Sequence, residues 1–166
     1  MVDSALLEGL KTGLKGEMDS VTLYTDAAGR AGGEVAAFFT ELAEEEKRHF
    51  NWLLQYYREL SGGKAPARNL AAEAAAVTGR GPIVTESFIK RLAGNQHLVT
   101  AIASAVLLEL NAAKHYGSMA ENTTVPEVKD FFKVLAAWEK KHYEDLLKIQ
   151  EESRASWFDA QNFEPF

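Results

Sequence analysis

Two segments of the 166-residue chain place a histidine three residues after a glutamate, Glu46-Lys-Arg-His49 and Glu139-Lys-Lys-His142. Both belong to a longer internal repeat. Glu34-Val-Ala-Ala-Phe-Phe-Thr-Glu-Leu-Ala-Glu-Glu-Glu46-Lys-Arg-His49 aligns without a gap to Glu127-Val-Lys-Asp-Phe-Phe-Lys-Val-Leu-Ala-Ala-Trp-Glu139-Lys-Lys-His142, an offset of 93 positions. Upstream, Glu17 and Tyr24 match Glu109 and Tyr116 at an offset of 92. One Glu-x-x-His alone says little, because acids and histidines fall three apart by chance on solvated helix faces. Two at equivalent positions of a repeat, with a partner acid in each half, specify a ligand set of four carboxylates and two imidazoles. Such a set suits two divalent metal ions per chain, iron or manganese, with zinc able to occupy it.

The elements that must bring these side chains together are helices. Apolar residues recur at spacings of three and four, alternating runs of β-branched residues are missing, and Ala, Leu, Glu and Lys dominate between the breakers. The pattern predicts helices over 4–28, 34–61, 96–121 and 126–154, with shorter helical pieces at 69–77 and 84–93 inside a long connection. Breakers stand at Gly29, Gly32-Gly33, Gly62-Gly63, Gly79-Arg-Gly81-Pro82 and Asn122-Thr-Thr-Val-Pro126. Thr124-Val-Pro-Glu127 has capping-box spacing and places Pro126 in a first turn. The organisation is one all-α domain: a helix pair (4–61), a crossover (62–95), a second helix pair (96–154) and an aromatic tail (155–166). Two short links and one long crossover between the second and third long helices give an antiparallel four-helix bundle of ferritin-like connectivity.

Seams of alternating three and four residues point toward the bundle axis. They read Leu7, Leu10, Leu14, Glu17, Val21, Tyr24, Ala28; then Phe39, Leu42, Glu46, His49, Leu53, Tyr56, Leu60; then Leu98, Ile102, Ala105, Glu109, Ala112, Tyr116, Met119; and Phe132, Leu135, Glu139, His142, Leu146, Ile149. Each acid interrupts an apolar stripe about a dozen residues after its helix begins, so the four share one mid-height layer. Buried carboxylates without a cation are costly, and two divalent ions neutralise four of them. Tyr24 follows Glu17 by two turns and reads equally as a core tyrosine or as a hydrogen-bonding or redox partner of the site; Tyr116 reads as a core tyrosine. Glu44, Glu45, Lys47 and Arg48 read as a solvated face, and His97 and His115 as surface or helix-end residues.

The composition removes other classes of function. A formal net charge of −6 leaves no basic footprint for nucleic acid. The absence of cysteine removes disulfides, thiolate catalysis and cysteine-ligated metal sites. No apolar run of about 18 residues is read, and the start has no cationic region leading into an apolar one, so a cytoplasmic protein without membrane contact is expected. The aromatic tail Ser156-Trp-Phe-Asp-Ala-Gln-Asn-Phe-Glu-Pro-Phe166 is expected to pack on the bundle or on a second copy, a homo-oligomer with a dimer favoured.

From Leu6 to about Glu152 the chain resembles the rubrerythrin branch of the ferritin-like superfamily. The residues that carry the resemblance are Leu-Ala-Glu-Glu-Glu46-Lys-Arg-His49 and Leu-Leu-Glu109 followed by Tyr116. The resemblance implies Glu17 and Glu109 as terminal carboxylates, Glu46 and Glu139 as bridging ones, and His49 and His142 as one nitrogen ligand per metal. It implies a di-iron protein that reduces peroxide or dioxygen with electrons from an external donor. The alternative is ferritin-like oxidation, storage or buffering of iron; a metal-free structural bundle would leave the buried acids uncompensated. Two departures stand out: the chain has no four-cysteine rubredoxin domain, and Ala112 stands where rubrerythrins hold a further glutamate. The six ligands also resemble those of bacterioferritin, without the methionine of its haem-binding members.

Overall fold

The computed structural model describes residues 4–67, 69–77 and 84–160. Six helices follow in order: α1 (Ser4–Arg30), α2 (Gly33–Ser61), α3 (Leu70–Ala76), α4 (Glu86–Ala93), α5 (Gln96–Asn122) and α6 (Pro126–Ala160). The four long helices form two hairpins, α1 on α2 and α5 on α6, joined through α1 against α5. The α1–α2 turn is tight, and Gly33 takes a positive φ of 57° there, a conformation that a Cβ disfavours. This is the all-α, ferritin-like bundle that the apolar periodicity predicts, with the long crossover between the second and third long helices.

The crossover has structure because its short helices are capped. Asn69 Oδ1 accepts from the Ala72 N–H (3.1 Å), Thr85 Oγ1 from the Phe88 N–H (3.0 Å), and Asn95 Oδ1 from the His97 N–H (3.1 Å) at the start of α5. α3 and α4 both pack on α6. Each covers one of two apolar clusters. Leu70, Ala71 and Ala74 of α3 join Leu10, Leu53, Tyr56, Tyr116, Phe131, Phe132 and Leu135. Phe88, Ile89 and Leu92 of α4 join Tyr24, Phe39, Leu42, Ile102, Leu146 and Ile149. Glu17, Glu46, His49, Glu109 and Glu139 are buried yet belong to neither cluster. The Gly79-Arg-Gly81-Pro82 breaker and tail residues 161–166 lie outside the described residues.

Three local expectations need correction. α6 does not stop at 154 but runs to Ala160, because Arg154-Ala-Ser-Trp-Phe-Asp-Ala160 contains neither glycine nor proline; Trp157 and Phe158, read as tail, are helical and meet edge to face at 5.2 Å. The capping box does not form: Pro126 is the first helical residue, and it is the Thr123 hydroxyl, not that of Thr124, that accepts from the Val125 N–H (3.3 Å), in the turn before the helix. A proline drives the residue before it out of the α region, so Val125 stays outside the helix. By length and composition α5 is also apolar enough to cross a membrane, against the reading that no run reaches that length. Here it packs on α6, α1 and α4 and brings Glu109 into the buried layer.

Candidate metal centre

Each long helix delivers its acid to mid-height. Glu46 and His49 stand one turn apart on α2, Glu139 and His142 one turn apart on α6, so each pair shares a face. Glu17 comes from α1 and Glu109 from α5. The side chains form two overlapping groups, Glu17–Glu46–His49–Glu139 and Glu46–Glu109–Glu139–His142, and in each the donor atoms lie within 4.8 Å of one another. Glu46 and Glu139 belong to both. His49 Nδ1 is 2.9 Å from Glu139 Oε1 and 3.3 Å from Glu46 Oε2; His142 Nδ1 is 3.4 Å from Glu46 Oε1 and 3.5 Å from Glu139 Oε2. The imidazoles face each other nearly parallel, 6.2 Å apart. All six residues named from the repeat thus converge.

The donor set passes the test of fit to metal. Glu46 Oε1, both Glu139 oxygens, both His49 nitrogens and His142 Nδ1 are buried without a hydrogen-bond partner. Buried polar atoms are normally satisfied, and several orphaned oxygens and nitrogens facing one another fit a bound cation. Among the described residues, no lysine or arginine enters the close ion contacts of the six ligands. Oxygen-rich donors with one imidazole per group match a pair of first-row divalent ions.

Protons alone give the metal-free layer a different solution. Burial, then the charges of Glu139 and Glu46, holds the Glu17 carboxyl well above the usual range. Glu109 is pushed up in the same way by burial, Glu46 and Glu139. Burial opposes the charged form of both histidines, but the carboxylates outweigh it. His49 is raised by Glu139 and Glu46, and His142 by Glu139, Glu45 and Glu46. Burial also pushes Glu46 and Glu139 up, and the two histidines outweigh it and hold both acids low. With Glu17 and Glu109 protonated, Glu46 and Glu139 ionised and both imidazoles charged, the layer would be neutral without a metal ion.

The two tyrosines reach across the bundle. The Tyr24 hydroxyl donates to Glu109 Oε1 and the Tyr116 hydroxyl to Glu17 Oε1, each from the opposite half of the repeat. Tyr24 thus contacts the site, and Tyr116, read as a core residue, does the same. Burial first, and then the facing glutamates, raises both phenols well above their ordinary range, so they remain donors. Gly13 makes room for Tyr116: a Cβ there would stand 3.0 Å from its ring and 3.1 Å from its hydroxyl. We expect Gly13→Ala to displace Tyr116 from Glu17 and to cost about 1–3 kcal/mol by overpacking, partly offset by about 1 kcal/mol of helix propensity. Gly16→Ala meets nothing within 4 Å and should raise stability by up to about 1 kcal/mol. Thermal unfolding of the two variants checks the contrast.

Glu45 was missed. It is not on the solvated face: its Oε2 accepts from His142 Nε2 at 3.0 Å, and its Oε1 lies 3.6 Å from Arg48. No apolar period marks it, since the pairing depends on α2 facing α6. Of the other histidines, His97 is exposed and His115 sits with its Nε2 2.9 Å from the Gly9 carbonyl, both away from the layer.

A four-helix bundle with four carboxylates and two imidazoles in one largely buried layer defines the class of ferritin-like carboxylate proteins with a site fit for two metals. Within that class, the rubrerythrin family model matches residues 8–150, and the chain belongs to the rubrerythrin family. Neither a curated protein nor a solved structure matches the chain.

Proposed function

We propose that the protein is a di-iron oxidoreductase that reduces peroxide or dioxygen with electrons from an external donor. The observation that carries this reading is the sharing of Glu46 and Glu139 by both donor groups, which gives two adjoining sites with common carboxylates. In this reading Glu17 and Glu109 would each hold one iron, Glu46 and Glu139 would serve both, and His49 and His142 would supply one nitrogen each. The iron pair, when bound, supplies electrons for cleaving the O–O bond. Tyr24 and Tyr116 hold Glu109 and Glu17 in place through their hydroxyl protons, and Tyr24 stands as the residue from which a proton or an electron reaches the Glu109 side. Trp52 and Trp138 pack on His49 at 5.9 and 5.4 Å and keep water from that side. The donor lies outside this chain, which has no cysteine for an iron–sulfur relay.

The test is anaerobic reconstitution with ferrous iron followed by peroxide. Two irons per chain are expected, oxidised faster than free ferrous iron under the same conditions. Glu46→Ala and Glu139→Ala should each lose both irons, because each carboxylate serves both groups. Wild-type protein that binds no iron, or variants that keep it unchanged, would overturn the reading.

A further inference from the structure

The internal repeat makes the six ligands almost two-fold symmetric, and the symmetry breaks at the position before each shared glutamate. An offset of 93 carries Glu46 onto Glu139 and His49 onto His142, but Glu45 onto Trp138. The consequence is visible behind each imidazole. His142 Nε2 meets the Glu45 carboxylate at 3.0 Å, and Arg48 approaches the other oxygen of that carboxylate at 3.6 Å. His49 Nε2 is buried with no hydrogen-bond partner; the Trp138 ring stands edge-on to this imidazole at 5.4 Å and Trp52 lies near parallel to it at 5.9 Å.

We infer that Glu45 is a positioning residue for His142 and that it makes the two halves of the layer unequal, with the Glu46–Glu109–Glu139–His142 group binding a metal ion more tightly than the Glu17–Glu46–His49–Glu139 group. The inference rests on the proposed di-metal reading. An outward N–H···carboxylate bond fixes which imidazole nitrogen keeps its lone pair for the metal, sets the ring plane and makes that lone pair more basic; loss of such a partner weakens metal affinity about 10–100-fold. His142 has this arrangement, with Nδ1 turned to the acids. His49, with Nδ1 likewise turned to the acids, has no such carboxylate behind it among the described residues: its outward side meets the Trp52 and Trp138 rings, and a proton on Nε2 has no preferred partner there. Filling is therefore ordered, the His142 group first.

Cobalt(II) titration of the metal-free full-length chain, followed by visible absorption and calorimetry, tests this. Wild type should bind two equivalents in two separated steps. His142→Gln should remove the tighter step and His49→Gln the weaker. Glu45→Ala should weaken the tighter step about 10-fold or more, bringing the two steps together, and Glu45→Asp should restore part of the separation. A purely structural role for Glu45 would shift both steps, or the melting temperature of the metal-free protein, without changing their ratio. Two indistinguishable steps in wild type, or an unchanged ratio in Glu45→Ala, overturns the inference while leaving the di-metal reading intact. Failure to bind cobalt, zinc and iron alike overturns the di-metal reading and this inference with it.

Discussion

Loading the metal-free protein with two divalent ions is expected to release close to four protons per chain. Glu17 and Glu109 are pushed above the ordinary carboxyl value of 4.5, and His49 and His142 above the ordinary imidazole value of 6.5. Each must give up a proton to ligate, whereas Glu46 and Glu139 are already ionised. Two ions of charge +2 replace four protons, so the exchange leaves the charge of the layer unchanged. Affinity then rises steeply with pH, by about 100-fold per metal ion for each unit while all four groups remain protonated in the free protein. Calorimetric titration in two buffers of different ionisation enthalpy counts the protons. Release of none or one would show that the layer is not proton-balanced before loading.

The same shifts fix how metal-free stability depends on pH. Glu17, Glu109, His49 and His142 hold folded values above their unfolded ones, so their contribution is complete below the unfolded values and is lost as pH rises through the folded ones. Glu46 and Glu139 are held low; their contribution is present above the ordinary carboxyl range and is lost as pH falls through the folded values. The metal-free bundle should therefore melt at lower temperature on both sides, the loss with rising pH beginning above the ordinary carboxyl value through Glu17 and Glu109 and steepening above the ordinary imidazole value through His49 and His142, and bound metal should remove that loss.

What the sequence made legible follows from which signals it carries. On α2 every residue of the predicted seam, Phe39 through Leu60, is buried, because large side chains and the acid–histidine pair mark one face without ambiguity. On α1 the spacing of apolar residues also picks out Leu7, Leu14, Val21 and Ala28, all of which are only half-buried. The buried stripe instead runs through Leu6, Gly9, Gly13, Ser20 and Ala27, with Leu10, Glu17 and Tyr24 common to both. Small residues lie on that stripe so that Tyr116 and Met119 of α5 can approach the α1 backbone. A search for apolar bulk passes over glycine, and Tyr116 lost its role for the same reason. Glu45 was hidden differently: its partner His142 lies on another helix, 97 positions away, and only the packing of α2 toward α6 brings them together.

The layer should be a burden on the empty protein. Removing one member leaves the others uncompensated, and Glu46→Leu is expected to destabilise the metal-free chain by about 3–5 kcal/mol, a fall in melting temperature of about 10 °C for a chain of this size. Replacing the whole set should do the opposite. With Glu17, Glu46, Glu109, Glu139, His49 and His142 all changed to leucine, and Tyr24 and Tyr116 to phenylalanine so that no buried hydroxyl loses its acceptor, the two apolar clusters become continuous. Buried ionic groups replaced by apolar ones of similar volume typically gain about 1–4 kcal/mol, and this eightfold variant should melt above metal-free wild type at every pH while binding no metal. Wild type should overtake it only when loaded, since a ligand at 100 times its dissociation constant adds about 2.7 kcal/mol per site. Differential scanning calorimetry of the three proteins, with and without zinc, separates the cases. An eightfold variant less stable than metal-free wild type would mean that the acids and imidazoles hold the bundle together by themselves, and the case for metal as their counter-charge would fall.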